Sequence, residues 1–315
     1  MKLVFLDSDT LPYPIIKPDW VTEWVQRPST EQSTEAVAEA LKDAEICITN
    51  KIKITPAILA VCPKLKFICV AATGYDCIDL RSCREHGITV SNVPGYSALS
   101  VAECVIANIF ALQRALPLYL KLGHTQWSKS EHFCVHGRSI LNIKGATLGI
   151  FGQGAIGQMV AKLATALGMH ILFAEHRNRP TIREGYTRFE TVIAQSDIIT
   201  LHCPLNESTR HMISQAEIAH MKPGSFLINT ARGPLLNETA VLDGLQSGHL
   251  GGAALDVLSV EPPESDHPLL NYDHPNLLIT PHIAWAAQSG LANLAQGITL
   301  NLQAFHQGQA IHVVS

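Results

Sequence analysis

Charge is scarce in this chain, and no apolar run reaches the roughly 18 residues that a helix needs to span a bilayer. Lys and Arg number 23 against 27 Asp and Glu, a formal net charge of −4. That balance offers no basic surface to nucleic acid and no cationic face to an anionic membrane, so neither is expected as a partner. No CxxC pair occurs. The eight cysteines stand singly, Cys69 and Cys104 inside apolar segments, which predicts reduced, mostly buried thiols in a cytoplasmic protein rather than disulfides. No metal site is expected at His124, His132 and His136. The opening Met1-Lys-Leu-Val-Phe-Leu-Asp7 turns acidic too soon for a signal peptide and reads as a first strand. Internal repeats and low-complexity tracts are also missing.

What is plentiful is apolar. Hydrophobic residues make up 47% of the chain and charged ones 16%, the content that α/β sheets covered on both faces require. The 315 residues are long for one core and comfortable for two. Strand-like runs at Leu3–Leu6, Ile46–Thr49, Phe67–Ala71 and Thr89–Ser91 alternate with helical segments such as Thr34–Ala44 and Pro56–Val61. A long helix is predicted over Leu99–Tyr119, followed by an irregular polar segment to Asn142. Six more strands follow: Thr147–Phe151, Ile171–Ala174, Ile198–His202, Ser225–Asn229, Gly252–Asp256 and Leu277–Thr280. A last helix spans Gln288–Gln307, with Leu291, Leu294, Ile298 and Leu302 at helical spacing. The pattern predicts two doubly wound parallel-sheet α/β domains. A substrate domain takes residues 1–98 and 286–315, and a Rossmann domain is inserted into it as 99–285.

Ala146-Thr-Leu-Gly-Ile-Phe-Gly-Gln-Gly-Ala-Ile-Gly157 carries the strand, glycine turn and helix of a dinucleotide site. Gly152 permits the tight turn, Gly154 lets the backbone approach a pyrophosphate, and Gly157 lets helix pack on strand. Glu175, after the next strand, suits the adenosine ribose hydroxyls and favours NAD over NADP, although His176, Arg177 and Arg179 lie close by. Ligands in such sheets bind at the C-terminal strand ends. There stand Arg232, a planar fork for a carboxylate or carbonyl, then Asp256 and Glu261, and His282. A histidine held by a carboxylate is a common proton-transfer pair near neutral pH.

Taken together, Gly-Gln-Gly-Ala-Ile-Gly, His202-Cys-Pro-Leu205, Asn229-Thr-Ala-Arg-Gly233, Asp256 with Glu261-Pro262, and Pro281-His282-Ile-Ala resemble the D-isomer-specific 2-hydroxyacid dehydrogenases. Ala72-Thr-Gly-Tyr-Asp76, Asn92-Val-Pro-Gly-Tyr96 and Ser100-Val-Ala-Glu103 extend the likeness over nearly the whole chain. Ala174-Glu-His176 and Ile283-Ala-Trp285 look most like the glycerate dehydrogenase, or hydroxypyruvate reductase, branch. Glu175 stands where many relatives carry Asp, and Cys104 where many carry His.

The resemblance implies a flavodoxin-like substrate domain, an NAD cofactor, a small 2-oxo or 2-hydroxy acid substrate and a homodimer. It implies Arg232, Glu261 and His282 as the catalytic trio. Gly152, Gly154, Ala155, Ile156, Gly157, Glu175, Cys203, Thr230, Ala231, Arg232, Asp256 and His282 would contact the cofactor, with Asp256 on the nicotinamide carboxamide. Lys51, Thr73 and Gly74 join Arg232 and His282 as expected substrate contacts. The expected reaction is reduction of hydroxypyruvate to D-glycerate by NADH, with glyoxylate as a side substrate. A D-lactate-type dehydrogenase and an NAD-sensing binding protein remain as alternatives.

Overall fold

A computed structural model describes residues 1–315, which divide into two compact units. One comprises Met1–Ser97 and Ala286–Ser315, the other Ala98–Trp285.

In the first unit, β1 (Lys2–Phe5), β2 (Glu23–Gln26), β3 (Ile46–Thr49), β4 (Phe67–Val70) and β5 (Thr89–Ser91) form a sheet in the order β2-β1-β3-β4-β5. All its pairings are parallel. Every residue of β3 and β4 is buried, the continuous apolar reading expected of strands covered on both faces. The edge strand β2 has polar, exposed ends at Glu23 and Gln26 and only half-buried Trp24 and Val25. It therefore gives neither an apolar run nor a clean alternation, and the sequence does not announce it. Helices α1 (Thr34–Leu41), α2 (Pro56–Ala60) and α3 (Leu80–Glu85) connect these strands. Ser33 and Asp79 cap α1 and α3 by accepting the backbone N–H of Ala36 and Ser82.

The second unit opens with α4 (Ala98–Gln113) and α5 (Leu116–Thr125), where one helix was predicted. The break is physical: Pro117 has no N–H and its ring would meet the carbonyl of Gln113, and Ala115 turns left-handed at φ 48°. The two helices are bent by 55° there, and no single helix of the chain is long and apolar enough to cross a membrane. Six parallel strands follow: β6 (Thr147–Phe151), β7 (His170–Phe173), β8 (Ile198–Leu201), β9 (Ser225–Asn229), β10 (Leu250–Leu255) and β11 (Leu277–Ile279). Their order is β11-β10-β9-β8-β6-β7. The third strand of a full Rossmann sheet is reduced to one parallel bridge, Ala174 to Thr187.

Side chains alternate across this sheet. Leu148, Ile150, Ile198, Phe226, Ile228 and Ala254 pack with Val105 and Ile109 of α4 and with Val160 and Ala164 of α6 (Ala155–Ala166). Phe151, Ile199, Leu201, Leu227, Ala253 and Leu255 pack with the helices of the other face. These are α7 (Phe189–Gln195), α8 (Gln215–His220) and α9 (Glu238–Gln246), through Val192, Ile218 and Val241. This is a doubly wound sheet.

The final helix, α10 (Gln288–His306), belongs to the first unit. Phe305 stacks on Phe67 of β4, centroids 4.3 Å apart. Asn301, with 0% exposure, donates through Nδ2 to the carbonyl of Asn92 at 2.8 Å, and its Oδ1 lies 2.9 Å from Nδ1 of His312. Asn301→Ala strands these buried groups and should cost about 1–3 kcal/mol. An unchanged urea midpoint for this variant would refute that role.

Candidate active site

The sheet of the second unit reverses its winding at β6, and the glycine turn sits at that strand's C-terminal end, where such sheets take ligands. Gly152 has φ +109°, and a Cβ on it would stand 2.5 Å from the carbonyl oxygen of His202. A Cβ on Gly157 would lie 2.0 Å from the Gly152 oxygen, so α6 can approach its strand only with glycine there. Gly154 is different. As N-cap of α6 it has open space where a Cβ would stand. Followed by Ala155 and Ile156 at the first turn of a twelve-residue helix, it forms a cradle with free N–H groups that suits a pyrophosphate. Across the strand ends, the buried hydroxyl of Thr230 has no partner of its own. Cys203 is buried beside Met212, Sγ to Sδ 3.5 Å. Burial pushes its thiol up to about 11, so it stays neutral at ordinary pH. Both observations fit a dinucleotide running along this edge.

The chemical groups stand on the turns after β9, β10 and β11, which are neighbours in the sheet. Arg232 follows β9. Asn229 shapes its loop, taking the N–H of Ala231 on Oδ1 at 3.0 Å and donating from Nδ2 to the Arg232 carbonyl at 2.8 Å. Gly233 packs against the backbone of Leu258, where a Cβ would come within 2.0 Å. That contact joins the Arg232 loop to the one leading to Glu261. Glu261 accepts the Leu258 N–H on Oε1 at 3.0 Å, and its Oε2 lies 2.6 Å from Nδ1 of His282. A carboxylate only accepts, so Nδ1 carries the hydrogen and Nε2 is left as the outward nitrogen. Glu238 steadies the same loop by accepting the Ser259 N–H at 2.7 Å.

Asp256, buried after β10, accepts the Thr280 hydroxyl and the Ile283 N–H on Oδ1, and the Ala284 N–H on Oδ2. Its backbone carbonyl takes the His282 N–H at 2.8 Å. His282 itself is left-handed at φ 55°, a conformation uncommon outside glycine. Asp256 thus holds the turn that presents the histidine. Trp285 closes that turn by donating its indole N–H to the His282 carbonyl. Asn229, Glu238 and Thr280 were not singled out from sequence. Only the appearance of Asn229 at the head of the Arg232 motif hinted at one of them.

Glu175 follows β7 and the Ala174 bridge. Its side chain is wholly buried and ion-paired to Arg183. Burial raises its pKa, but the Arg183 hydrogen bonds outweigh that and hold the carboxyl down at about 2. Lys51, Thr73 and Gly74 belong to the first unit and sit just past the ends of β3 and β4. Buried Asp7 accepts the backbone N–H of Asn50 and Lys51 at 2.9 and 2.8 Å. The Thr73 hydroxyl donates to the Val93 carbonyl at 3.1 Å. Among the histidines of the irregular segment, Cys134 intervenes with Sγ 3.5 Å from Nε2 of His136, and no group of three ligand side chains converges.

Comparison with known proteins bears on the family and the fold. The family model for the NAD binding domain of the D-isomer specific 2-hydroxyacid dehydrogenases matches residues 106–284. A Haemophilus influenzae protein classed with the 2-hydroxyacid dehydrogenases is 46% identical over 98% of both chains. The glycerate dehydrogenase of Methylorubrum extorquens is 40% identical over 99% of this chain and 98% of its own. Among solved structures, an acyclic imino acid reductase in complex with NADPH and D-Arg superposes with a TM-score of 0.85 at 28% identity, covering 100% of both chains.

The Glu175 pair has a consequence for pH. Its folded pKa lies below the roughly 4.3 of an unfolded glutamate, so the pair stabilises the fold at neutral pH. That contribution fades as pH falls from the unfolded value toward about 2. Carbon NMR of labelled glutamate carboxyls should give a midpoint near pH 2 for Glu175 and an ordinary one in Arg183→Gln. An ordinary midpoint in the unmodified protein would contradict the pairing.

Proposed function

The chain belongs to the D-isomer specific 2-hydroxyacid dehydrogenase family, and we propose that its reaction is reduction of hydroxypyruvate to D-glycerate with NADH, glyoxylate serving as a side substrate. The observation that carries the mechanism is the 2.6 Å pair between His282 and Glu261, mounted at the end of a strand two places from the one bearing Arg232. The substrate choice rests on likeness to the glycerate dehydrogenase and on the Glu175-His176 and Trp285 positions.

The bound nicotinamide supplies hydride chemistry; the protein supplies position and charge. In this reading Arg232 binds the substrate carboxylate and polarises the 2-oxo group with its planar fork. Protonated His282 gives the Nε2 proton to the carbonyl oxygen as that oxygen becomes an alkoxide. Glu261 keeps Nδ1 protonated, orients the ring and stabilises the imidazolium before transfer. Asp256 keeps the histidine turn in place and has acceptor capacity left on Oδ2 for a carboxamide N–H. Thr230, Ala231 and Cys203 line the cofactor edge.

The eight free cysteines favour a reducing, cytoplasmic setting. A homodimer is part of the same proposal. Its support is a run of exposed apolar side chains on α4, α5 and the segment after them: Phe110, Leu116, Leu120, Trp127 and Phe133. Light scattering should give twice the 34.3 kDa of one chain; a monomer mass would exclude the dimer.

Specificity constants for hydroxypyruvate, glyoxylate, pyruvate and 3-phosphohydroxypyruvate with NADH test the substrate, with hydroxypyruvate expected highest. Pyruvate in first place would make the enzyme D-lactate-like, and tight NADH binding without turnover on any of the four would make it a sensor. His282→Ala should lower kcat about 10²- to 10⁴-fold with NADH binding kept. Normal turnover in that variant would remove His282 from the mechanism.

A further inference from the structure

A carboxylate after the second strand of a Rossmann sheet ordinarily selects NAD in two ways. It accepts hydrogen bonds from the ribose hydroxyls, and its charge repels a 2′-phosphate. Both effects need a carboxylate with lone pairs and charge to spare. Glu175 has neither.

An ionised carboxylate offers about four acceptor positions, and in this chain all four are taken. Oε1 accepts the His176 N–H at 2.9 Å and Nη2 of Arg183 at 2.7 Å. Oε2 accepts Nε of Arg183 at 2.7 Å and the Arg183 backbone N–H at 3.3 Å. Nε of Arg179 stands 4.0 Å away on the same side. The side chain of Glu175 is 0% exposed, whereas those of Arg183 and Arg179 are 41% and 42% exposed. What solvent meets at this strand end is guanidinium, not carboxylate.

The backbone explains the inversion. With the third strand reduced to the Ala174–Thr187 bridge, the Glu175 N–H bonds to the Thr187 carbonyl at 2.8 Å. Residues 176–186 are left to loop out and return. A turn closed by the Arg179 N–H on the His176 carbonyl starts the loop, and another between Tyr186 and Arg183 ends it. Arg183 comes back over the Tyr186 ring, 3.9 Å from its centroid, and its fork lands on Glu175. Two of the five side-chain N–H donors of an arginine are spent there. Arg177 is engaged elsewhere, 2.7 Å from Glu217 and over the Phe189 ring. Arg183 and Arg179 are therefore the cations that border the strand end, against one solvated carboxylate, Glu184.

We propose that Arg183, rather than Glu175, meets the coenzyme at the adenosine ribose, and that the chain consequently binds NADPH as well as NADH. The proposal rests on reading the Gly152–Gly157 turn as the coenzyme site. Arg183 acts here as a specificity determinant: it neutralises the group that would exclude a 2′-phosphate and turns donors toward it. A phosphate is matched by a guanidinium fork better than by any other side chain.

The test is binding without substrate. The full-length protein is titrated with NADH and with NADPH, following coenzyme fluorescence, and the two Kd values should agree within about tenfold, 1.4 kcal/mol. Arg183→Gln releases the carboxylate. NADPH should then weaken by about 10- to 100-fold, the scale of a hydrogen bond to a charged group, while NADH holds or tightens. Competition on the unmodified protein gives a readout that needs no variant: 2′-AMP should displace NADH at least as well as 5′-AMP. NADPH binding more than about a hundredfold weaker than NADH overturns the proposal, as does equal loss of both coenzymes in Arg183→Gln. Since no oxo acid is present, NADH binding with NADPH rejected sinks this inference and leaves the proposed reaction standing. Binding of both coenzymes without turnover does the reverse, and binding of neither removes both.

Discussion

The candidate site of the second unit depends on one buried carboxylate. A charge in the interior is costly unless hydrogen bonds replace its water, and Asp256 obtains three, all from the turn of residues 280–284. The turn in exchange is held tightly enough to keep His282 at φ 55°. Left-handed geometry costs a non-glycine residue on the order of 1–2 kcal/mol and persists only where the surroundings over-determine it. From that fixed point the rest follows. The histidine ring reaches Glu261, Glu261 pins the Leu258 N–H, and the Leu258 backbone is the surface on which Gly233 and the Arg232 loop pack. The His282–Glu261 pair and the Arg232 loop, to which proton transfer and anion binding are assigned in the proposal, are thereby referred to a common piece of backbone.

The first unit uses the same device. Asp7 ends β1, is buried, and spends its oxygens on the N–H groups of the loop that follows β3, the neighbouring strand. Asp256 ends β10 and spends its oxygens on the loop that follows β11, again the neighbour. In a parallel sheet all strands finish at one edge, so a loop at that edge has no hairpin partner to define it. A buried aspartate on the adjacent strand supplies the definition, and the residue so presented is Lys51 in one unit and His282 in the other. Burial pushes the Asp7 pKa up, against the backbone N–H groups that favour its charged form.

Much of this was legible in the residues, for a reason that also marks where legibility stops. Strands buried on both faces read as short apolar runs, so β3, β4, β6, β8 and β9 stand out, and glycines at forced close approaches, Gly152 and Gly157, identify the turn. The half-exposed β2 has no such run. The α4–α5 break lies inside a stretch with helical character on both sides, where Pro117 was the one sign. Arg232, Glu261 and His282 could be nominated because strand ends are where such sheets place chemistry and because their spacing resembles a known family, and the structure puts Glu261 and His282 within hydrogen-bond reach. Asn229, Glu238 and Thr280 serve through hydrogen bonds that fix the turns around the site, one of them reaching 21 residues along the chain, and one-dimensional spacing carries no record of such pairings.

Glu175 and Arg183 set the sharpest limit on reading chemistry from position. The acid stands where an acid belongs, and inference from that position assigns it the ribose. Its behaviour is decided eight residues later, by whether the chain builds a third strand or returns as a loop. A full strand at Thr187 would carry Arg183 away along the sheet edge. One bridge instead lets the loop fold back and deliver the guanidinium to the carboxylate. Charge at a site is thus a property of the pair, and the pair is a property of local topology. In a sheet whose edge strand has shrunk to a bridge, residue type at the strand end no longer determines what a ligand meets there.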